Sequence, residues 1–184
     1  MARYYRRRYR TIVRAPKKKW GSNYVNISQV INYGTDGSFS AYQALCRNST
    51  ETTAPTPVIV KTGNFKVQFD LILNVGGSGA IEARAYIFFV PQGFYDDGFP
   101  DQISIVRLVS QHPEWIMAWR QLDFGNANVA GSVDTSVVRM SSRLKRNLNS
   151  GDQIYFAVVG SGNFTNVETK GSIAGAAQFW TCAN

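Results

Sequence analysis

Histidine occurs once in this 184-residue chain, cysteine twice, and the first twenty residues hold no acid at all. Each scarcity closes off a kind of chemistry. A serine–histidine or cysteine–histidine nucleophile would have to be built on His112, which is followed by Pro113 and has no partner signature nearby. Zinc sites need several Cys or His ligands at close spacing, and Cys46 and Cys182 lie far apart. No run of about 18 apolar residues is present, so no transmembrane helix and no membrane insertion are expected. The N-terminus has no apolar stretch of the length that a secretory signal needs. The two cysteines are therefore expected to be buried or idle thiols made in a reducing compartment. No enzyme is expected, and no cofactor or metal.

What is present is charge of one sign, in one place. The opening MARYYRRRYRTIVRAPKKKW contains Arg3, Arg6, Arg7, Arg8 and Arg10, then Arg14, Lys17, Lys18 and Lys19. The whole chain has a net charge of +8, so the remaining residues hold 11 basic groups against 12 acidic ones. A short polycation is thus joined to a nearly neutral body. Nine like charges in twenty residues repel one another and bury little, which predicts an arm that stays disordered until a polyanion neutralises it. Tyr4, Tyr5 and Tyr9 interrupt the arginines and argue against a mitochondrial presequence.

The body alternates as strands do. In NFKVQFDLILN, Phe65, Val67, Phe69, Leu71 and Leu73 fall on one parity and Lys66, Gln68 and Asp70 on the other. Successive strand side chains point to opposite faces, so five large apolar groups should face one core. Gly76, Gly77 and Gly79 can reverse the chain, and Ala80 to Val90 returns with Ile81, Ala83, Ala85, Ile87 and Phe89 on one face. The pair is expected to form a hairpin.

Tyr24 to Asn32 reads as a half-buried strand, with Val25, Ile27 and Ile31 inward. Gly34 to Pro57 reads as a loop with one short element at Ser40 to Leu45. Gln102 to Ser110 suits one or two helical turns, with Ile103, Val106 and Val109 spaced by three. Trp115 to Phe124, Thr135 to Met140 and Gly171 to Cys182 read as strands. Asp152 to Gly160 is apolar on both parities, which suits a strand covered on both sides. With no internal repeat and no linker, the pattern predicts an all-β chain. It divides into an arm, 1–20, and one antiparallel sandwich, 21–184, for which an eight-stranded jelly roll fits the length and the long loops.

Two basic groups stand out as nucleic-acid-binding candidates. In the arm, arginine binds phosphate through a planar fork and lysine adds point charge. Tyr4, Tyr5, Tyr9 and Trp20 can stack on unpaired bases, which favours single strands. An import signal alone, or a solubilising tail, are the duller alternatives, and import is compatible with genome binding. The second group is Arg139, Arg143, Lys145 and Arg146. It is either a solvated turn leading to the strand at Asp152 or part of the surface that the arm serves. Asp96, Asp97 and Asp101 lie close enough to hold a divalent cation, although an Asp-Asp-Gly turn explains them more simply.

The arm MARYYRRRYR, together with HPEWIMAWRQLDF and SSRLKRNLNSGDQIYF in a β-rich body, resembles the capsid proteins of small circular single-stranded DNA viruses, the circoviruses and their relatives. The resemblance covers the arm and the region from Gln111 to Gly160. It implies a jelly-roll domain, a homo-oligomeric shell of about sixty subunits and packaged circular single-stranded DNA. It further implies nuclear import by the host, assembly in the host nucleus, and a virion surface that meets a host-cell receptor. The chain is shorter than typical circovirus capsid proteins and its arm more compact. Capsid proteins of small RNA or satellite viruses have a similar architecture and arm, and phosphate contacts do not separate DNA from RNA. A cellular RNA-binding protein with a basic extension would be expected to carry basic residues across its folded surface.

Overall fold

The computed structural model describes residues 19–34, 37–48, 59–75, 80–94, 99, 102–124, 131–162 and 171–183. Nine strands, one α-helix and one short 3-10 turn are found among them. The strands are β1 (Gly21–Tyr33), β2 (Ser38–Arg47), β3 (Val60–Val75), β4 (Glu82–Val90), β5 (Ile116–Leu122), β6 (Gly131–Asp134), β7 (Val138–Leu148), β8 (Gln153–Ser161) and β9 (Gly171–Ala183). The helix α1 spans Gln102–Gln111, and the 3-10 turn spans Pro113–Trp115. Every pairing is antiparallel.

Two sheets result. One runs β5-β4-β8-β2, and the other runs β1-β9-β3 with β6 and β7 both on the outer edge of β3. They join at a corner where β1 and β2 pair through Asn32↔Ser40 and Tyr33↔Phe39. β6 and β7 follow one another along the same edge. The gap between them is bridged by Thr135, whose N–H donates to the Leu71 carbonyl while its hydroxyl accepts from the Leu71 N–H, both at 3.1 Å.

The alternation in β3 is realised fully: Phe65, Val67, Phe69, Leu71 and Leu73 are all buried. They meet Ile27 and Ile31 of β1, Ile87 of β4 and Ile154, Phe156 and Val158 of β8 in one core. Phe69 packs edge-on to Phe156 with ring centroids 4.9 Å apart, and Phe65 stacks on Phe179 at 5.2 Å. Each such side chain contributes roughly 1.5–3 kcal/mol on burial. Gly175 lies where β9 crosses beneath Phe69, and a Cβ there would collide with the backbone of Gln68 and Phe69.

The expected hairpin of β3 and β4 is not formed. β3 spends both edges on β9 and on β6 and β7, while β4 lies between β5 and β8 in the other sheet. The two strands face each other across the core instead. Two alternating strands joined by glycines satisfy either arrangement, because the local pattern fixes which face is apolar and not which strand is the partner. The segment expected to be mostly loop contains the ten-residue β2, with Phe39, Ala41 and Leu45 buried. Gln43 interrupts its apolar parity, and the other face alternates in serine, tyrosine and alanine, which blurs the pattern.

β8 behaves as its two-sided composition predicts. Ile154, Phe156 and Val158 enter the central core, whereas Tyr155, Ala157 and Val159 point outward into a second cluster with Tyr86, Phe88, Phe99 and α1. The helix docks through Ile105, Leu108 and Val109; Val106, one of the three residues noted for their spacing, is 41% exposed. Spacing by three drifts around a helix of 3.6 residues per turn, and the buried stripe follows the i, i+3, i+4 pattern.

Candidate nucleic-acid interface

Of the candidate arm residues only Lys19 and Trp20 lie within the described part; those from Arg3 to Lys18 fall outside it, as do Asp96, Asp97 and Asp101. Lys19 and Trp20 are exposed and lead directly into β1. That strand is the edge of the β1-β9-β3-β7 sheet that meets β2 at the corner, and the outward-facing parity of the sheet is uncovered among the described residues.

Register defines what shares that face. One row crosses Ser22, Trp180, Gly63 and Lys145; the next crosses Tyr24, Gln178, Lys66 and Ser141; a third crosses Asn26, Ala176, Gln68 and Arg139. The second basic cluster therefore lies on a strand, and the solvated-turn reading of it is wrong. Arg139, Arg143 and Lys145 are all exposed there. Among the described residues none of them, nor Lys66, has a carboxylate within ion-pair distance. The opposite end of the face carries Asp70 and Asp134.

Aromatic rings are interleaved with these cations. The Lys145 ammonium lies 5.3 Å from the centroid of the Trp20 ring, and the Lys66 ammonium 5.6 Å from that of Trp180. Tyr24 is 68% exposed beside them. Trp20, Asn64, Lys66, Arg143, Lys145 and Trp180 line an open groove of about 630 Å³. Gly63 shapes its floor, since a Cβ there would lie 2.7 Å from Lys145 Cγ and 2.9 Å from the Leu144 carbonyl oxygen. The register slips by one residue at this point, where Asn64 adopts a positive φ of 54°. A second groove of about 710 Å³ continues along the face past Tyr24, Gln68, Asp70, Arg139 and Gln178. Arg139 is partly held, its Nε donating to Gln68 Oε1 at 3.3 Å.

Arg146 does not join this group. Strand alternation turns it to the other side, where its guanidinium lies 5.6 Å from the Phe89 ring centroid and donates to the carbonyl of Glu114. The Glu114 side-chain carboxylate is held below the usual range by a backbone N–H of its own residue and then by His112, whose Nδ1 lies 3.1 Å away. His112 in turn stacks on Trp115 at 3.8 Å, a contact that ties the end of α1 to β5. The only histidine is thus engaged in packing.

The sequence reading missed Lys66 and Trp180. Lys66 carried a signal, since it lies on the polar parity of the clearest strand. Nothing local indicated that Trp180, over a hundred residues away, would come beside it. Compared with protein-family models and with curated proteins, the chain gives no match.

Proposed function

We propose that this chain is a viral capsid protein of the circovirus-like kind, which assembles into an icosahedral shell and packages circular single-stranded DNA through its basic arm. The observation that carries the reading is where the arm meets the body. Lys19 and Trp20 enter β1 at the very end of the sheet where Lys66, Arg143 and Lys145 gather without acidic partners among the described residues. Arm and folded face then form one continuous cationic surface in an otherwise neutral protein. Contacts of this kind hold phosphate without reading sequence.

The strand order supports the architecture. With β6 and β7 counted as one interrupted strand, the sheets read β1-β9-β3-β7 and β5-β4-β8-β2, and the chain crosses between them as in an eight-stranded jelly roll. The long connections leave loops available for contacts between copies, and closed symmetry multiplies each contact. The arm of twenty residues, extended, reaches up to about 70 Å, enough to run well into a small particle.

Sizing and electron microscopy of the purified full chain test the proposal. A particle of megadalton mass that yields DNase-sensitive, RNase-resistant nucleic acid is expected. RNase-sensitive contents would favour a small RNA or satellite virus. A 20.5 kDa monomer at every salt and pH tried would overturn the shell reading.

A further inference from the structure

We infer that the groove between Trp20 and Trp180 is a base-stacking subsite for single-stranded nucleic acid, built into the folded body and separate from the arm. The inference rests on the proposal that this chain encloses such a strand, and deepens it by naming a fixed point of contact. Charge alone does not require it. Two indoles share one sheet face, Trp20 exposed and Trp180 half-buried, and each has a lysine ammonium over its ring. The cations have no carboxylate partners among the described residues, and Trp20 continues directly into Lys19 and the arm.

The chemistry of an occupant follows from these groups. An unpaired base offers a π-face of the size of an indole, and its flanking phosphates offer the negative charge that Lys66, Arg143 and Lys145 lack. On binding, a base takes the place of the ammonium over the ring, and the displaced lysine turns to the adjacent phosphate. Each indole keeps a favourable contact in both states, so the groove is preorganised and needs no backbone movement. Duplex DNA does not fit this scheme, because its bases present no free faces. Every base has a π-face, so the subsite tolerates any sequence.

The test uses the full chain labelled with 5-fluorotryptophan, which gives four fluorine resonances, one for each of Trp20, Trp115, Trp119 and Trp180. Single Trp→Phe changes assign them. Oligothymidylate should shift the Trp20 and Trp180 signals and leave Trp119, which is 61% exposed on the other sheet, unmoved. An abasic oligonucleotide of equal length should shift neither. W180L should weaken oligothymidylate binding roughly tenfold with no change in its dependence on salt, the behaviour expected of a lost stacking contact.

If the oligonucleotide binds, by anisotropy, while Trp20 and Trp180 stay silent, the stacking subsite is overturned and the packaging proposal survives. Failure to bind single strands at all removes both. Shifts that appear on self-association without nucleic acid, and do not change when it is added, would assign the face to a subunit contact and overturn the inference. The wild-type measurements with normal and abasic strands need no variant, so a misfolded W180L leaves the test intact.

Discussion

The outer face of the β2-β8-β4-β5 sheet is apolar and lies beneath α1, whereas that of the β1-β9-β3-β7 sheet is polar, cationic and, among the described residues, uncovered. Their inner faces are alike, and both supply the same core. The difference comes entirely from the outward parity. β8 and β4 place Tyr155, Ala157, Val159, Tyr86 and Phe88 there, and these require a cover of their own. β3 and β7 place Lys66, Gln68, Arg139 and Arg143 there, and these require water or a polyanion. One sheet has thus used its second face for stability, and the other leaves its second face to solvent among the described residues, the face that we propose for binding.

The largest test of that contrast is thermodynamic. Phe88→Ala, beneath the helix, should cost about 3–5 kcal/mol in urea unfolding, because a fully buried ring is lost and a cavity remains. Lys66→Ala, on the other outer face, loses only a contact with the Trp180 ring and should cost no more than about 1 kcal/mol. Equal costs would mean that both faces are structural.

Binding should divide the opposite way. If the nine arm cations each meet one phosphate of a single strand, log K falls against log salt with a slope of roughly −6, and about −4 to −6 if some face solvent. Changing Arg6, Arg7 and Arg8 to alanine should remove about two units of slope for any sequence. Changing Arg143 and Lys145 to alanine should remove a further one to one and a half units while lowering stability by no more than about 1 kcal/mol. Fluorescence titration of the full chain at several salt concentrations reads both. An unchanged slope in the second variant would make the sheet face a bystander.

A smaller effect checks that the space between the sheets is dry. Burial pushes the Cys46 thiol above its ordinary range, against a weaker hydrogen bond from Thr62 that lowers it. A raised folded value favours the protonated thiol. Its stabilisation is therefore complete below the unfolded value of about 8.5 and is lost as pH rises toward the folded one. Alkylation of the native chain near pH 8 should be slow at Cys46 and become fast on unfolding. Rapid native labelling would place water at this corner.

How far these features are legible in sequence depends on their range. Burial parity within β3 and the two-sided burial of β8 follow from each strand's own residues, and both are realised. Partner choice does not follow. The β3–β4 hairpin failed because an alternating strand with a glycine-rich exit serves equally to turn within a sheet or to cross the core. The site was legible in the same unequal way. Arg139, Arg143 and Lys145 stood out as a charge cluster on one chain segment. Lys66 comes beside them only through the pairing of β3 with β7, and Trp180 and Trp20 through that of β9 with β3 and of β1 with β9; no local signal encodes that.

Arg146 gives the last and smallest discrimination, and it separates two neighbours that sequence treats alike. Arg143 and Arg146 stand three residues apart in one basic run, yet opposite faces receive them. Arg143 lines the open groove, whereas Arg146 lies over the Phe89 ring and holds the Glu114 carbonyl beside the His112–Trp115 stack. A cation over an aromatic ring is worth about 0.5–1 kcal/mol near the surface, and the lost hydrogen bond adds a comparable amount. Arg146→Ala should therefore lower stability by about 1–2 kcal/mol and leave the salt slope for single-stranded DNA unchanged. Arg143→Ala should do the reverse, removing about 0.7 of a unit of slope at no cost in stability. Denaturation and titration of the two variants side by side decide the matter. If both lose slope equally, the cationic surface wraps around β7, and the division between a packed face and a binding face does not hold at that edge.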